Sequence, residues 1–125
     1  MPTNAASLYL LGMSELELGN VVGATDFMEK SLFLDLDFKA PYVNLGICYL
    51  RTGKFDEAIA VSEALLKRHP DSPQCHYHIG VACYQKSFLL QTSTKATAAQ
   101  EMDSLRKRAL DELSESRESE EGQRL

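Results

Sequence analysis

A chain of 125 residues with 44% apolar and 25% charged residues has the composition of one ordinary globular domain, and its formal charge of −5 removes the basic surface that nucleic-acid binding requires. The one cationic cluster, Arg106-Lys107-Arg108, sits among acidic residues and reads as a solvated helix face. No apolar run approaches the roughly 18 residues that span a bilayer, and Met-Pro-Thr-Asn does not lead from a basic into an apolar stretch, so neither a membrane span nor a secretory signal is expected.

Written in rows of 34, the chain repeats itself. Gly12, Gly46 and Gly80 share one column, each preceded by Leu11, Leu45 or Ile79. Gly19 and Gly53 share a second, Ala24 and Ala58 a third, and Val21, Phe55 and Leu89 a fourth. Pro2, Leu36 and Pro70 form a fifth, and no insertion is needed until about residue 86. A fixed period of this length is the mark of a stacked repeat.

The first unit covers residues 5–38 and the second 39–72. In the second, Lys39-Ala-Pro-Tyr opens a helix, with Pro41 tolerated in the first turn because its missing N–H costs nothing there. Tyr42, Leu45 and Tyr49 recur at helical spacing, and Gly53 ends the helix because it accepts a left-handed cap. Phe55 and Asp56 begin a second helix with Ala58, Ile59, Leu65 and Leu66 on its buried side, and Pro70 ends it. Each unit is therefore a helix–turn–helix hairpin. Gly46 in mid-helix needs a packing reason, and Ala58 on the opposing helix is expected to supply it, as Ala24 does for Gly12.

The third unit, 73–113, is degenerate. Ser87 replaces the turn glycine and Phe88-Leu89-Leu90 follows, so its first helix is expected to run on to about Leu90. Its small-residue column reads Thr92, within a stretch from Gln91 to Thr94 that looks like a loop. A last helix is expected from about Thr94 or Thr97, with Ala98, Met102, Leu105, Ala109 and Leu113 as one apolar stripe. Residues 114–125 turn to Ser, Glu and Arg and read as a disordered polar tail. At the other end Pro2-Thr3-Asn4 falls in the columns of Pro70-Asp71-Ser72, the end of a unit. The expectation is a segment of a longer array, with the outer face of its first hairpin exposed and open to self-association.

The run Tyr42-Val-Asn-Leu-Gly-Ile-Cys-Tyr, then Gly-Lys-Phe-Asp-Glu-Ala-Ile, then Pro70, resembles a complete tetratricopeptide repeat. Residues 5–38 resemble another, and 73–90 resemble the first helix of a third. The resemblance implies an all-α fold, a right-handed superhelical stack of antiparallel hairpins, with about two and a half repeats plus a long C-terminal helix. It also implies that first helices line a concave groove in which a partner lies. One face of each first helix repeats in register: Tyr9, Met13 and Leu16; Val43, Ile47 and Leu50; Tyr77, Val81 and Tyr84. Each triple has i, i+4, i+7 spacing and all nine residues are apolar or aromatic. Such a face either packs between neighbouring first helices or offers a groove to an apolar helix or peptide, with Asn44, Arg51, Glu17 and Gln85 beside it. The last helix either packs on the third hairpin or covers this groove, in its own chain or in a second copy. Members that hold heat-shock chaperone tails use a clamp of Lys, Asn and Arg; the matching places here hold Tyr9, Met13, Asn44, Gln74 and His78, and only Asn44 fits. That ligand is therefore not expected.

Catalytic and metal chemistry find no support in the residues. His76 and His78 lie on different sides of a helix, and Cys75 with His78 makes two ligands, short of a zinc site. His69 precedes Pro70 at a helix end, where a cation suits the dipole. Cys48, Cys75 and Cys83 are odd in number and lack C-x-x-C spacing, as buried thiols of a reducing, cytoplasmic compartment would. The sequence points to a non-catalytic protein-binding module without cofactor, or to a self-associating structural segment.

Overall fold

The computed structural model describes residues 4–91 and 96–124, with side chains described to Glu121. These described residues hold six helices: α1 Ala5–Glu17, α2 Val21–Leu34, α3 Lys39–Arg51, α4 Phe55–Arg68, α5 Pro73–Leu90 and α6 Ala98–Arg124. No strand occurs among the described residues. Pro2 and Thr3, on which the repeat-end reading of the N-terminus rests, lie outside them, as do Thr92 to Lys95.

Local chemistry sets the boundaries. The Asn4 side chain accepts from the Ser7 N–H at 2.7 Å and Asn20 accepts from Gly23 at 3.0 Å, satisfying first-turn donors of α1 and α2. Gly19 and Gly53 close the first two hairpins at φ values of 84° and 73°, the left-handed region where a Cβ is strained. Ser87, in the same column, stays helical and buried, with its hydroxyl donating to the Tyr84 carbonyl at 2.6 Å. Without a left-handed residue to turn the chain, α5 continues to Leu90.

Helices pack in sequence order, α1 on α2, α3 on α4 and α5 on α6, with α3 seated on α2 and α5 on α4 and α3. Ala24, Met28, Leu45, Cys48, Tyr49, Ala58 and Ala82 form the largest buried cluster, which runs through all three hairpins. Tyr42, Leu65 and Cys75 form a second cluster, and Ile79, Cys83 and Ala109 a third. The core is thus a line of joints between neighbours, as a solenoid requires.

Two packing expectations need correction. A Cβ on Gly12 would lie 2.9 Å from Met28 Cγ and 3.3 Å from the Ala24 carbonyl, as the pairing with Ala24 predicts. At Gly46 the nearest atoms belong instead to the His78 ring of the next hairpin, with Nδ1 at 2.6 Å, and not to Ala58. The reason lies one turn beyond Ala58. Ser62 stands where the first unit has Met28, too small to fill the gap, and His78 fills it from α5. The second correction concerns Thr92. The small-residue place of the third hairpin is held by Ala109, whose carbonyl would lie 3.2 Å from a Cβ on Gly80.

That replacement reveals the register of α6. Ala109 follows Ala24 by 85 residues, where two periods of 34 give 68, an excess of 17. The same offset of 85 takes Met28 to Leu113, which crowds Gly80 as Met28 crowds Gly12. It also takes Ser31 to Ser116. Ser31 donates its hydroxyl to the Ala5 carbonyl at 2.7 Å, and Ser116 donates to the Pro73 carbonyl at 2.8 Å. The third hairpin is therefore a full unit with 17 residues inserted at its tip. Its last helix runs through to Arg124, where composition predicts a disordered tail. Ser116 is buried against α5, and Arg117 pairs with Glu121 at 3.2 Å one turn on.

Candidate functional site: the face of the first helices

The three first helices bring the predicted stripe residues into one register, and none of the nine is fully buried. The neighbouring column behaves differently: Gly12, Gly46 and Gly80 are buried, as are Leu45 and Ile79. The face is uneven in what it leaves free. Met13, Leu16 and Leu50 pack partly against the largest cluster, and Val43 against the second. Tyr9 stands edge-on to Phe38 with ring centroids 5.3 Å apart. Asn44 donates to the Tyr9 hydroxyl at 3.0 Å and to the Ala40 carbonyl at 3.2 Å, so its amide hydrogens are already engaged. Ile47 and Val81 are half-buried, Arg51 is exposed, and Tyr77 and Tyr84 are 53% and 50% exposed. Tyr84 meets Phe88 edge-on at 4.9 Å, which extends the aromatic surface along the prolonged end of α5.

The last helix takes the first of its two expected placements. Ala98 and Ala109 are buried, and Leu113 and Ser116 close on Gly80 and Pro73, so the stripe of α6 is spent on α5 and does not cross α1 or α3.

His76 and His78 are both held in the packing of α5. His76 is held between Glu112 of α6 at 2.7 Å and the Pro70 carbonyl at 3.0 Å. Burial disfavours its charge, but the Glu112 carboxylate, the Pro70 carbonyl and nearby Glu115 outweigh that, and its pKa lies above the ordinary value. His78 is buried and its pKa is lowered by desolvation, which keeps it neutral in the gap beside Gly46. Burial likewise pushes all three thiols up, which leaves them unreactive. No group of three His, Cys, Asp or Glu among the described residues could hold a metal ion, and no described helix is long and apolar enough to cross a membrane.

Sequence reasoning missed a cleft of about 470 Å³ between α5 and the second half of α6, lined by Pro73, Tyr77, His78, Leu113, Ser116 and Arg117. Reading residues 114–125 as a tail hid it. The signal that finds it is the offset of 85, since Ser116 repeats Ser31.

A stack of helix hairpins with a half-open face along its first helices is the architecture of a protein–protein interaction or scaffold module. The profile of the tetratricopeptide repeat family matches residues 43–112, more than half of the chain, and the chain belongs to that family. Two crystal structures of MamA resemble it with TM-scores of 0.76 and 0.72 at 23% and 24% identity. They cover 97% and 95% of this chain but only 61% and 56% of their own lengths. The segment of MamA from residue 41 to its end, from Desulfovibrio magneticus RS-1, gives a TM-score of 0.61 at 21% identity, covering 96% of this chain and 77% of its own. At these identities the likeness is one of fold. No curated protein sequence matches this chain.

Proposed function

We propose that the chain is a non-catalytic module that holds an apolar helix or peptide of another protein along the face of α1, α3 and α5. The observation that carries this reading is the partial exposure of all nine in-register apolar and aromatic side chains beside a fully buried glycine column. Tyr77 and Tyr84 offer rings with a polar tip on α5, with Val81 between them in the same stripe and Ile47 on the neighbouring α3. Cations that could clamp a terminal carboxylate are missing from the clamp places, and Asn44 is engaged by Tyr9, so an amphipathic segment suits the face better than a chaperone tail.

Panning a displayed library of amphipathic helices on the wild-type chain tests this. Selected peptides should lose at least tenfold in affinity on Ile47→Arg and on Val81→Arg, and keep it on Phe33→Arg, which changes a side chain 87% exposed on α2. Peptides that bind the groove variants as well as wild type would refute the assignment.

A further inference from the structure

Two faces of this stack carry the halves of a joint that the molecule already makes twice inside itself. In the α2–α3 and α4–α5 joints, the incoming first helix buries three columns: Pro41, Leu45 and Cys48 in α3, and Cys75, Ile79 and Ala82 in α5. In α1 the same columns hold Ser7, Leu11 and Ser14, and these are half-buried or exposed. Leu11 is 37% exposed, and beside it Leu10 is 63% exposed where His78 of α5 is 7%. Among the described residues, no helix is seated on this face of α1 as α2 is seated on α3.

The receiving half lies at the other end. Within the chain, Ile59 of α4 packs against the cluster of Ile79 and Cys83 on the incoming α5. The offset of 85 that relates α2 to α6 puts Leu110 in the place of Ile59, and Leu110 is 69% exposed. Tyr77 stands in the place of Tyr9, which in the first joint meets Phe38, the residue before α3, and Asn44 of α3. Leu113 and Ser116 repeat Met28 and Ser31, so α6 lies on α5 in the register in which α2 lies on α1. The cleft between α5 and α6 is what such a surface leaves when no helix is seated on it.

We propose that α1 of a second copy of this chain seats on the α5–α6 face, continuing the stack from one molecule into the next. By the register of the internal joints, Leu11 of the incoming copy meets Leu110, and Leu10 lies on the Tyr77 ring. Charge agrees with this occupant. In the α4–α5 joint Lys86 meets Asp56 at 2.6 Å. At the new joint the place of Asp56 is held by Lys107, next to Arg106; the place of Lys86 is held by Leu18, and the residue before it is Glu17, with no basic residue in the last turn of α1. The two ends carry opposite charge, without repeating the Lys86–Asp56 pair column for column. The two halves lie on different surfaces, so the contact is heterologous: it propagates as an open chain of molecules or closes as a ring, and it does not stop at a two-fold dimer. It shares Tyr77 with the groove, but Leu11 and Leu110 lie outside the groove, so substitutions there test it separately from the peptide-binding reading.

The test is sedimentation velocity across a wide concentration range with the wild-type chain, Leu11→Glu and Leu110→Glu. Both positions are exposed, and circular dichroism checks that helix content is kept. Wild type should grow with concentration beyond twice its 13.9 kDa mass. Each variant alone should stay monomeric. An equimolar mixture of the two should form dimers and nothing larger, because one intact Leu11 face and one intact Leu110 face remain between them. A wild-type chain that is monomeric throughout would leave these faces to other proteins and overturn the proposal. A variant that assembles like wild type, or a mixture that restores no dimer, would overturn it equally.

Discussion

Replacing Gly46 by alanine should destabilise the protein, and should stabilise it once His78 is gone. Inside a helix, alanine is favoured over glycine by roughly 1 kcal/mol. Against that, the new Cβ would lie 2.6 Å from His78 Nδ1, 3.3 Å from Cε1 and 3.4 Å from Cγ. These are ring atoms of a buried side chain, so they move only if α5 shifts relative to α3. Overpacking of this kind costs typically about 1–3 kcal/mol. The expected net effect of Gly46→Ala is a loss of about 1 kcal/mol and at most about 2, or roughly 3–6 °C in Tm for a domain of this size. In a His78→Ala background the clash vanishes, the propensity term remains, and the same substitution should gain about 0.5–1 kcal/mol. Urea melts of the four chains, followed by far-UV circular dichroism, give the coupling directly, and about 2 kcal/mol is expected. If Gly46→Ala has the same sign and size in both backgrounds, the ring does not occupy the space the glycine leaves.

Three further outcomes follow from other places in the fold. Gly53→Ala, at a φ of 73° with open space around it, should cost about 1–2 kcal/mol from backbone strain alone, and Gly19→Ala the same; urea melts showing no loss would exclude the left-handed caps. A chain shortened to end at Leu113 should lose about 1 kcal/mol with the Ser116–Pro73 bond, whereas a chain ending at Glu121 should melt like the full one; equal melts for the two would mean that residues 114–121 add nothing. Both ring nitrogens of His76 face acceptors, so the imidazolium satisfies both, and its raised pKa makes its contribution complete below the unfolded value of about 6.5 and lost as pH rises through the higher folded value. The Tm difference between wild type and His76→Gln should therefore be wider at about pH 6 than at about pH 9, and a difference independent of pH would count against a charged His76.

What could be read from the residues depended on whether neighbours in space were neighbours in the period. The four helices of the first two hairpins follow from Gly19 and Gly53 and from the apolar spacing, because a turn glycine and a helical stripe act within one unit. The run of α5 to Leu90 was legible in Ser87, which cannot take the place of a left-handed cap without strain. The partner of Gly46 was not legible. It depends on Ser62 being one side chain too small and on a residue 32 positions away filling the space. The length of α6 was missed because composition was weighed and nucleation was not: a helix already formed through Leu113 extends cheaply through Ser, Glu and Arg, and Ser116 anchors it. The stripe along α1, α3 and α5 was found by spacing alone, but spacing does not say that Tyr9 and Asn44 bind each other.

The 17 additional residues of the third hairpin sit where a helical stack tolerates them best. They lie at the tip of the hairpin, as the prolonged end of α5, the first turns of α6 and the residues between, so the contacts that fix the register, from Gly80 to Leu113 and from Pro73 to Ser116, lie beyond them and keep their geometry. Between hairpins the same length of chain would displace the next seated helix. The connection between α5 and α6 is therefore a natural graft site. A tag, a fluorophore or a whole folded domain inserted into it costs mainly the slowly growing closure entropy of a longer connection, about 0.6 kcal/mol for each doubling, and leaves both the groove and the two end faces available for measurement.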